Sequence, residues 1–485
     1  MNYLDYFKEI CAIPHVSHHT EGICRYLIDF ARAKGLDYRK DESGNVIITK
    51  PASSAGKASL STVVLQAHVD MVGVSVDGRD MSNEPVRLAI NGDRISAEGS
   101  SLGADNGIGL CYILDVLSDD SLISPRIQAI FTVDEEVGMV GMKHLDFSSI
   151  SGRHVINLDS ESEDEVVVSS AGGVSAEVSV SIRESAWRLQ SGTLAQISVF
   201  GLPGGHSGNQ IHKGRANAIM SLASVLSEIS DKHDARFVSL CGGDAANAIP
   251  SSATVEVLYC GADFESFRRD MKSFLASYRR DHIKMNPGFD AEIVWKKESR
   301  VRCLSAMNSA FFKMLSSFPD GMLEADESGN ALTSLNFGVA AFDKDSRTLK
   351  LDALLRSNAD VSRNKLADDI RSIAEGYGDA SDNASAFSCS IAFSGEYGAW
   401  QRREGSPLLE YYMSEYEREF GKSVRVVSTH GGLECGFFAQ NIPDCDLISI
   451  GPEISNIHSV HESASVASCD RVLDLLKRLL ENWRL

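Results

Sequence analysis

The 485-residue sequence predicts an α/β protein: a mixed sheet flanked by helices, interrupted by an inserted α+β domain made of two similar halves. Three observations predict it. Short apolar runs bounded by polar residues recur in the first third, the pattern of strands buried on both faces. From about 187 to 397 such runs give way to alternating ones. Within that stretch one strand–turn–helix pattern occurs twice. A chain this long also exceeds what one core serves. The expected division is 1–186 and 398–485 for the sheet domain and 187–397 for the insertion.

Tyr26-Leu27-Ile28-Asp29-Phe30-Ala31 belongs to an amphipathic helix that ends near Gly35. Thr62 to Ala67, Ile127 to Thr132 and Val155 to Leu158 read as buried strands, and 107–117 has helical spacing. In the insertion, Ala253 to Leu258 leads through Ala262-Asp263 into a helical region at 264–275. Leu349 to Leu354 leads likewise through Ala359-Asp360 into 362–374. Leu447-Ile448-Ser449-Ile450 is a further strand. The last segment puts Val466, Cys469, Val472, Leu473, Leu476, Leu479, Leu480 and Trp483 on one helical face.

The net charge of −20 disfavours nucleic acid and anionic membranes as partners, since both require a basic face. Hydrophobic residues at 43% and charged residues at 24% are ordinary for a soluble globular protein. None of the ten cysteines forms a CxxC pair, which suits reduced, buried thiols. The N-terminus carries an acid and no apolar segment, so it does not read as a signal peptide, and no apolar run is long enough to span a bilayer. A cytoplasmic location is the expectation.

Acids and histidines appear where strands end: His68-Val69-Asp70 after the first run, Asp134-Glu135-Glu136 after the second, Asp159 after the third. In open α/β sheets, sites form beyond the carboxyl ends of strands. His68 and Asp70, two apart, can share a face, so that the carboxylate fixes the imidazole tautomer; a core histidine beside a turn aspartate is the plainer alternative. Asp105, at a helix start, is either a cap or a ligand. Glu135-Glu136 could be a solvated turn, but paired acids at a buried edge require a neutralising cation. One can then bind metal while the other takes a proton from metal-bound water. His458 follows a later strand, with His461 as a rival. Two histidines with three carboxylates suit a pair of zinc ions, with cobalt or manganese as substitutes.

Together, His68-Val69-Asp70, Gly103-Ala104-Asp105-Asn106-Gly107, Asp134-Glu135-Glu136-Val137-Gly138, Asn157-Leu158-Asp159-Ser160 and Gly451-Pro452 through His458-Ser459 resemble the di-zinc aminopeptidase and carboxypeptidase clan. Gly204-Gly205-His206-Ser207-Gly208, Asn247-Ala248-Ile249-Pro250 and His430-Gly431-Gly432-Leu433-Glu434-Cys435-Gly436 resemble its aminoacyl-histidine dipeptidase branch. The resemblance implies an exopeptidase-type catalytic domain with a lid for its insertion, and two zinc ions per subunit. Asp105 would bridge them, Glu136 and His458 would complete one site, and His68 and Asp159 the other. Glu135 would be the general base, Asp70 would orient His68, and a cis peptide would follow Asp105. His206 would stabilise the oxyanion. Asn247 and Arg356 would contact substrate, Gly431 and Gly432 would offer backbone N–H groups to its carboxylate, and Glu434 or His430 would sense its amine or side chain. The sequence departs from the branch at His458-Ser459-Val460, where a proline usually follows the serine.

The implied activity is metal-dependent hydrolysis of dipeptides of the Xaa-His, carnosine-like kind. The competing readings are a broader dipeptidase or tripeptidase, an N-acyl amino acid deacylase of the same clan, and a non-catalytic metal-binding homologue. Members often dimerise through the lid, and a homodimer of that kind is the expectation here.

Overall fold

The computed structural model describes residues 1–377 and 385–485. These form two compact units: 1–170 with 400–428 and 433–485, and 171–399 with 429–432.

In the first unit an eight-stranded sheet runs, from edge to edge, 37–40, 46–50, 127–132, 63–68, 154–157, 446–449, 165–170 and 425–429. Val63–His68 pairs in parallel with both Ile127–Thr132 and His154–Asn157, which places the three predicted strands side by side. Every residue of the first two is buried, and their Val, Ile, Leu and Phe side chains explain why. Helix Ala104–Ser118 is buried along most of its length and belongs to the same core as Tyr3, Phe7, Ile108, Tyr112, Phe131 and Trp483. Helix Glu21–Lys34 ends on Gly35 in the left-handed conformation, as its sequence predicts. Because the three strands are parallel, all their carboxyl ends reach the same edge.

The second unit holds a nine-stranded antiparallel sheet in the order 290–304, 187–200, 253–259, 235–242, 331–343, 348–357, 172–182 and 387–397, with 321–325 joined to 331–343. The two repeated patterns are present as Ala253–Tyr259 followed by helix Phe264–His282, and Thr348–Ser357 followed by helix Asp360–Tyr377. This unit begins earlier than 187 because strand Gly172–Ile182 pairs with both 348–357 and 387–397. Its alternating burial is that of a strand with one covered face, which a search for continuous apolar runs passes over.

All ten cysteines are free; Cys241 is exposed and Cys260 and Cys445 are half-buried, against the expectation that all are buried. Among the described residues no helix is long and apolar enough to cross a membrane.

Gly109 marks where helix Ala104–Ser118 meets the strand ends. A Cβ there would lie 2.4 Å from the Leu158 carbonyl oxygen and 2.2 Å from Asn106 Oδ1. Gly109→Ala is therefore expected to destabilise the protein by about 1–3 kcal/mol, the usual cost of overpacking, read as a lower midpoint in urea unfolding.

Candidate metal centre and anion site

Each strand of the parallel trio leads to acidic or imidazole groups at the common edge of the first unit. His68 is the last residue of its strand, Glu135 and Glu136 follow Thr132 by one short turn, and Asp159 lies two residues past Asn157. Asp105 comes from the first turn of helix Ala104–Ser118, where it and Asn106 depart from helical angles and the bond between them is cis. Asp105 is not the cap: the helix takes Gly103 in that position, with no side-chain capping bond.

The two oxygens of Asp105 face different partners. Oδ1 lies 3.1 Å from His68 Nε2, which is itself 3.4 Å from Asp159 Oδ1. Oδ2 lies 3.3 Å from His458 Nε2, which is 2.9 Å from Glu136 Oε1. One carboxylate thus stands between two imidazole–carboxylate pairs. His458 rather than His461 joins the cluster; His461 is exposed.

The charges do not balance among themselves. Asp105, Glu135, Glu136 and Asp159 converge on two imidazoles, with side-chain exposure at or below 15% for Asp105, Asp159 and Glu136. Burial pushes the Glu135 carboxyl well above the usual range, and Glu136 and Asp159 push the same way against His68. Burial, then Asp105, raises Glu136 to about 7. Burial draws the His458 imidazole down, but Asp105 and Glu136 outweigh it and hold it at about 11. Glu136 Oε1 and His458 Nε2 approach to 2.9 Å, yet both are buried without a hydrogen-bond partner. Polar atoms brought this close without the geometry of a hydrogen bond are aimed at a shared point, as ligand atoms are. Ligand atoms of His68, Asp105 and Glu136 also lie within 4.8 Å of one another. Excess buried negative charge, orphaned donor atoms and a nitrogen–oxygen ligand set fit divalent cations.

Asp70 touches His68 chiefly through its backbone carbonyl. His68 Nδ1 meets the backbone carbonyl of Asp70 at 2.9 Å, while the carboxylate stands at 3.6 Å. That carboxylate accepts instead from the backbone N–H of Glu135 (3.0 Å) and Glu136 (3.3 Å) and from the Ser17 hydroxyl (2.8 Å). It clamps the acidic turn. Glu434 has no exposed surface; it accepts from Gln66 and, at 2.7 Å, from Thr132, and Gln66 accepts from Asn157 at 2.5 Å. Glu434 therefore closes a polar network one register step behind His68 and Asp159 and offers no face to a substrate. Burial raises its carboxyl to about 8.

The second unit holds the remaining expected residues. His206 Nδ1 accepts the backbone N–H groups of Gly208 (3.2 Å) and Asn209 (3.1 Å), so the proton of the neutral ring sits on Nε2. Asn247 is exposed and its carbonyl accepts from Ser207 N–H at 2.8 Å, beside the short pairing of Gly205–His206 with Ala248–Ile249. The Gly431 N–H, expected to face a substrate carboxylate, is taken by the Thr429 hydroxyl at 3.0 Å.

Arg356 is 5% exposed, and no carboxylate among the described residues pairs with it. It sits in one row across four strands, with Ser334, Gly173 and Tyr397 in register. Its Nη1 donates to the Tyr397 hydroxyl at 2.9 Å, and its Nε has no partner. Gly173 makes that contact fit, since a Cβ there would lie 2.5 Å from the tyrosine oxygen; a Cβ at Gly432 would strike the same ring at 2.7 Å. A buried guanidinium with only neutral partners calls for an anion. Ser17, Gln66, Thr132 and Tyr397 escaped the sequence reading. Gln66 and Thr132 lie within two residues of His68 and Asp134, whereas Ser17 meets Asp70, and Tyr397 meets Arg356, only across long stretches of chain.

Residues 64–482 match peptidase family M20/M25/M40. The cytosol non-specific dipeptidase of Escherichia coli K12 is 29% identical over 481 residues, covering 98% of this chain and 96% of that protein. The crystal structure of aminoacylhistidine dipeptidase from Vibrio alginolyticus superposes with a TM-score of 0.79 at 31% identity, covering 99% and 96% of the two chains. Human carnosine dipeptidase 1 shares the fold at 12% identity and a TM-score of 0.54, with 99% and 96% covered. The mixed sheet with an inserted α+β unit is thus the architecture of these peptidases.

His430, on the same row's margin, contacts the Ser334 hydroxyl at 2.7 Å and Asn358 Oδ1 at 3.2 Å. Burial, then Arg356, lowers its pKa to about 4. As pH falls below about 6.5 the unfolded chain takes up a proton that the folded one refuses, so stability is lost progressively down to about pH 4. His430→Gln should lose less thermal stability across that window than the parent, measured by scanning calorimetry of both at matched pH.

Proposed function

The chain belongs to peptidase family M20/M25/M40 and is a metal-dependent peptidase, and we propose that it is a di-zinc dipeptidase whose substrates include Xaa-His dipeptides. The observation that carries this reading is Asp105, with one oxygen turned to His68 and Asp159 and the other to His458 and Glu136. Asp105 with His68 and Asp159 would hold one ion, and Asp105 with Glu136 and His458 the other. Zinc at such a site supplies Lewis acidity and lowers the pKa of a water it binds.

The chain's own residues then have separate tasks. Glu135, held by the Asp70 clamp and without a ligand role, takes the proton from the attacking water and returns it to the leaving nitrogen. Its burial favours accepting that proton. His206, with its Nε2–H set by the two backbone donors on Nδ1, donates to the developing oxyanion. Arg356, steadied by Tyr397, takes the substrate's terminal carboxylate, with Asn247, His430 and Gly432 lining the substrate's path. Glu434 supports the strand ends from behind rather than touching substrate.

Two relatives bear on specificity. The Vibrio protein's name favours aminoacyl-histidine substrates, and the Escherichia coli protein's name favours broad dipeptide use. Comparison of kcat/KM for β-alanyl-histidine, other dipeptides, a tripeptide and an N-acyl amino acid separates these. Hydrolysis of the N-acyl compound alone would overturn the dipeptidase reading, and absence of any hydrolysis by the zinc-loaded chain would leave a metal-binding homologue.

Glu135→Gln is expected to retain two zinc ions by mass spectrometry while turnover falls by about 10²–10⁴-fold, the usual contribution of a general base. Chelation should abolish parental activity and zinc should restore it. Arg356→Ala should raise KM for dipeptides, with a loss in kcat/KM of roughly 30-fold or more, since removing one partner of a buried charge pair costs about 2–5 kcal/mol. Dipeptide amides, which lack the carboxylate, should be hydrolysed alike by parent and variant; an equal loss on both would remove the carboxylate role from Arg356.

A further inference from the structure

The chain enters the helix that carries Asp105 through Gly103, with no side-chain cap from its own segment. A single buried side chain from the far end of the chain meets four successive backbone N–H groups there, from Leu102 to Asp105. Glu462 Oε2 accepts from Leu102 at 2.8 Å and Gly103 at 3.0 Å, and Oε1 accepts from Ala104 at 2.8 Å and Asp105 at 3.2 Å. Glu462 is 3% exposed. Each oxygen takes two donors, the pattern of an ionised carboxylate at the positive end of a helix dipole.

Glu462 stands four residues after His458, and its position is fixed from both sides. Its own N–H donates to the Ser459 carbonyl at 3.2 Å, and the strand that follows, Ser463–Ser465, pairs with Arg94–Ala97 and Ile454–Ser455. One loop therefore presents His458 to Asp105 Oδ2 and, through Glu462, grips the backbone on which Asp105 is mounted. The distance between those two groups is set by a short covalent path and four charge-assisted bonds.

We infer that Glu462 is a positioning residue for the shared-carboxylate metal centre: it fixes the Leu102–Asp105 backbone so that both Asp105 oxygens meet their separate partners. This rests on the di-zinc reading above and adds to it a residue that touches neither metal nor substrate. The alternative is an ordinary cap that stabilises the helix and has no bearing on metal binding. A cap alone would not require a carboxylate, since a neutral oxygen satisfies helix N–H groups as well. Glutamine keeps the shape but has one oxygen for four donors, and it turns an NH₂ group toward two of them.

The test uses the full chain, stripped of metal and titrated with zinc against a chromophoric chelator. Glu462→Gln is expected to weaken zinc binding by roughly 10- to 100-fold, the range for groups that orient ligands from behind. In the dicobalt form its magnetic coupling through the shared carboxylate should be altered, which a general loss of stability would not do to the folded fraction. Zinc affinity within twofold of the parent, with unchanged cobalt coupling, overturns the proposal, whatever happens to the melting temperature of the metal-free protein. If Glu462→Gln does not fold, Glu462→Asp, which withdraws the same charge by one methylene, is judged by the same two readouts. Failure of the parent to bind two zinc ions would instead defeat the di-zinc reading, so the two failures are distinguishable.

Discussion

Four carboxylates held close together inside a protein repel one another and lose their water, and every feature of the first unit's site answers that cost. Asp105, Glu135, Glu136 and Asp159 have only two imidazoles to offset them. Burial of one unpaired charge is expensive enough that the group usually titrates instead. The raised carboxyls of Glu135 and Glu136 show the strain of that arrangement in the protein alone. Divalent cations would remove it, and Glu136 Oε1 and His458 Nε2, close without bonding each other, are placed as ligand atoms for one.

Keeping such a cluster assembled falls to backbone and neutral groups. Parallel pairing in register brings the ends of 63–68, 127–132 and 154–157 to one edge, so no side chain has to reach far. Behind the edge, Gln66, Asn157, Thr132 and Glu434 bond the three strands to each other in a layer closed to water. Asp70 spends its carboxylate on the turn of Glu135 and Glu136 rather than on the imidazole. This fixes the backbone of Glu135 and Glu136 with one group. Carboxylates thus serve here both as chemical groups and as acceptors for backbone N–H, and burial and partners separate the two uses.

Legibility in the sequence followed the range of the interactions involved. Strand ends carrying His68, Glu135, Glu136 and Asp159 could be read because an apolar run and the residue after it are local. The repeated strand–turn–helix of the insertion could be read for the same reason. The start of the insertion could not, because Gly172–Ile182 alternates and its partners lie more than 150 residues away. Spacing shows that Asp70 and His68 share a face, but not which of the aspartate's oxygens, carboxylate or carbonyl, is nearer the ring. Tyr397 meets Arg356 across Gly173, a contact that depends on register among three strands and on the absence of one Cβ. The Gly431 N–H was expected to be available, and a hydroxyl two residues away takes it.

The two units leave opposite charges unanswered. The first has an excess of buried carboxylate; the second has Arg356, buried beside a tyrosine and a neutral histidine with no acid paired to it. In a finished core each would be eliminated or paired internally, since an apolar replacement of similar volume often costs nothing. Holding both unmet is consistent with external partners of opposite sign, cations for one and a carboxylate for the other. Charge left uncompensated in the fold is thus what each unit, taken by itself, offers to a ligand of opposite sign.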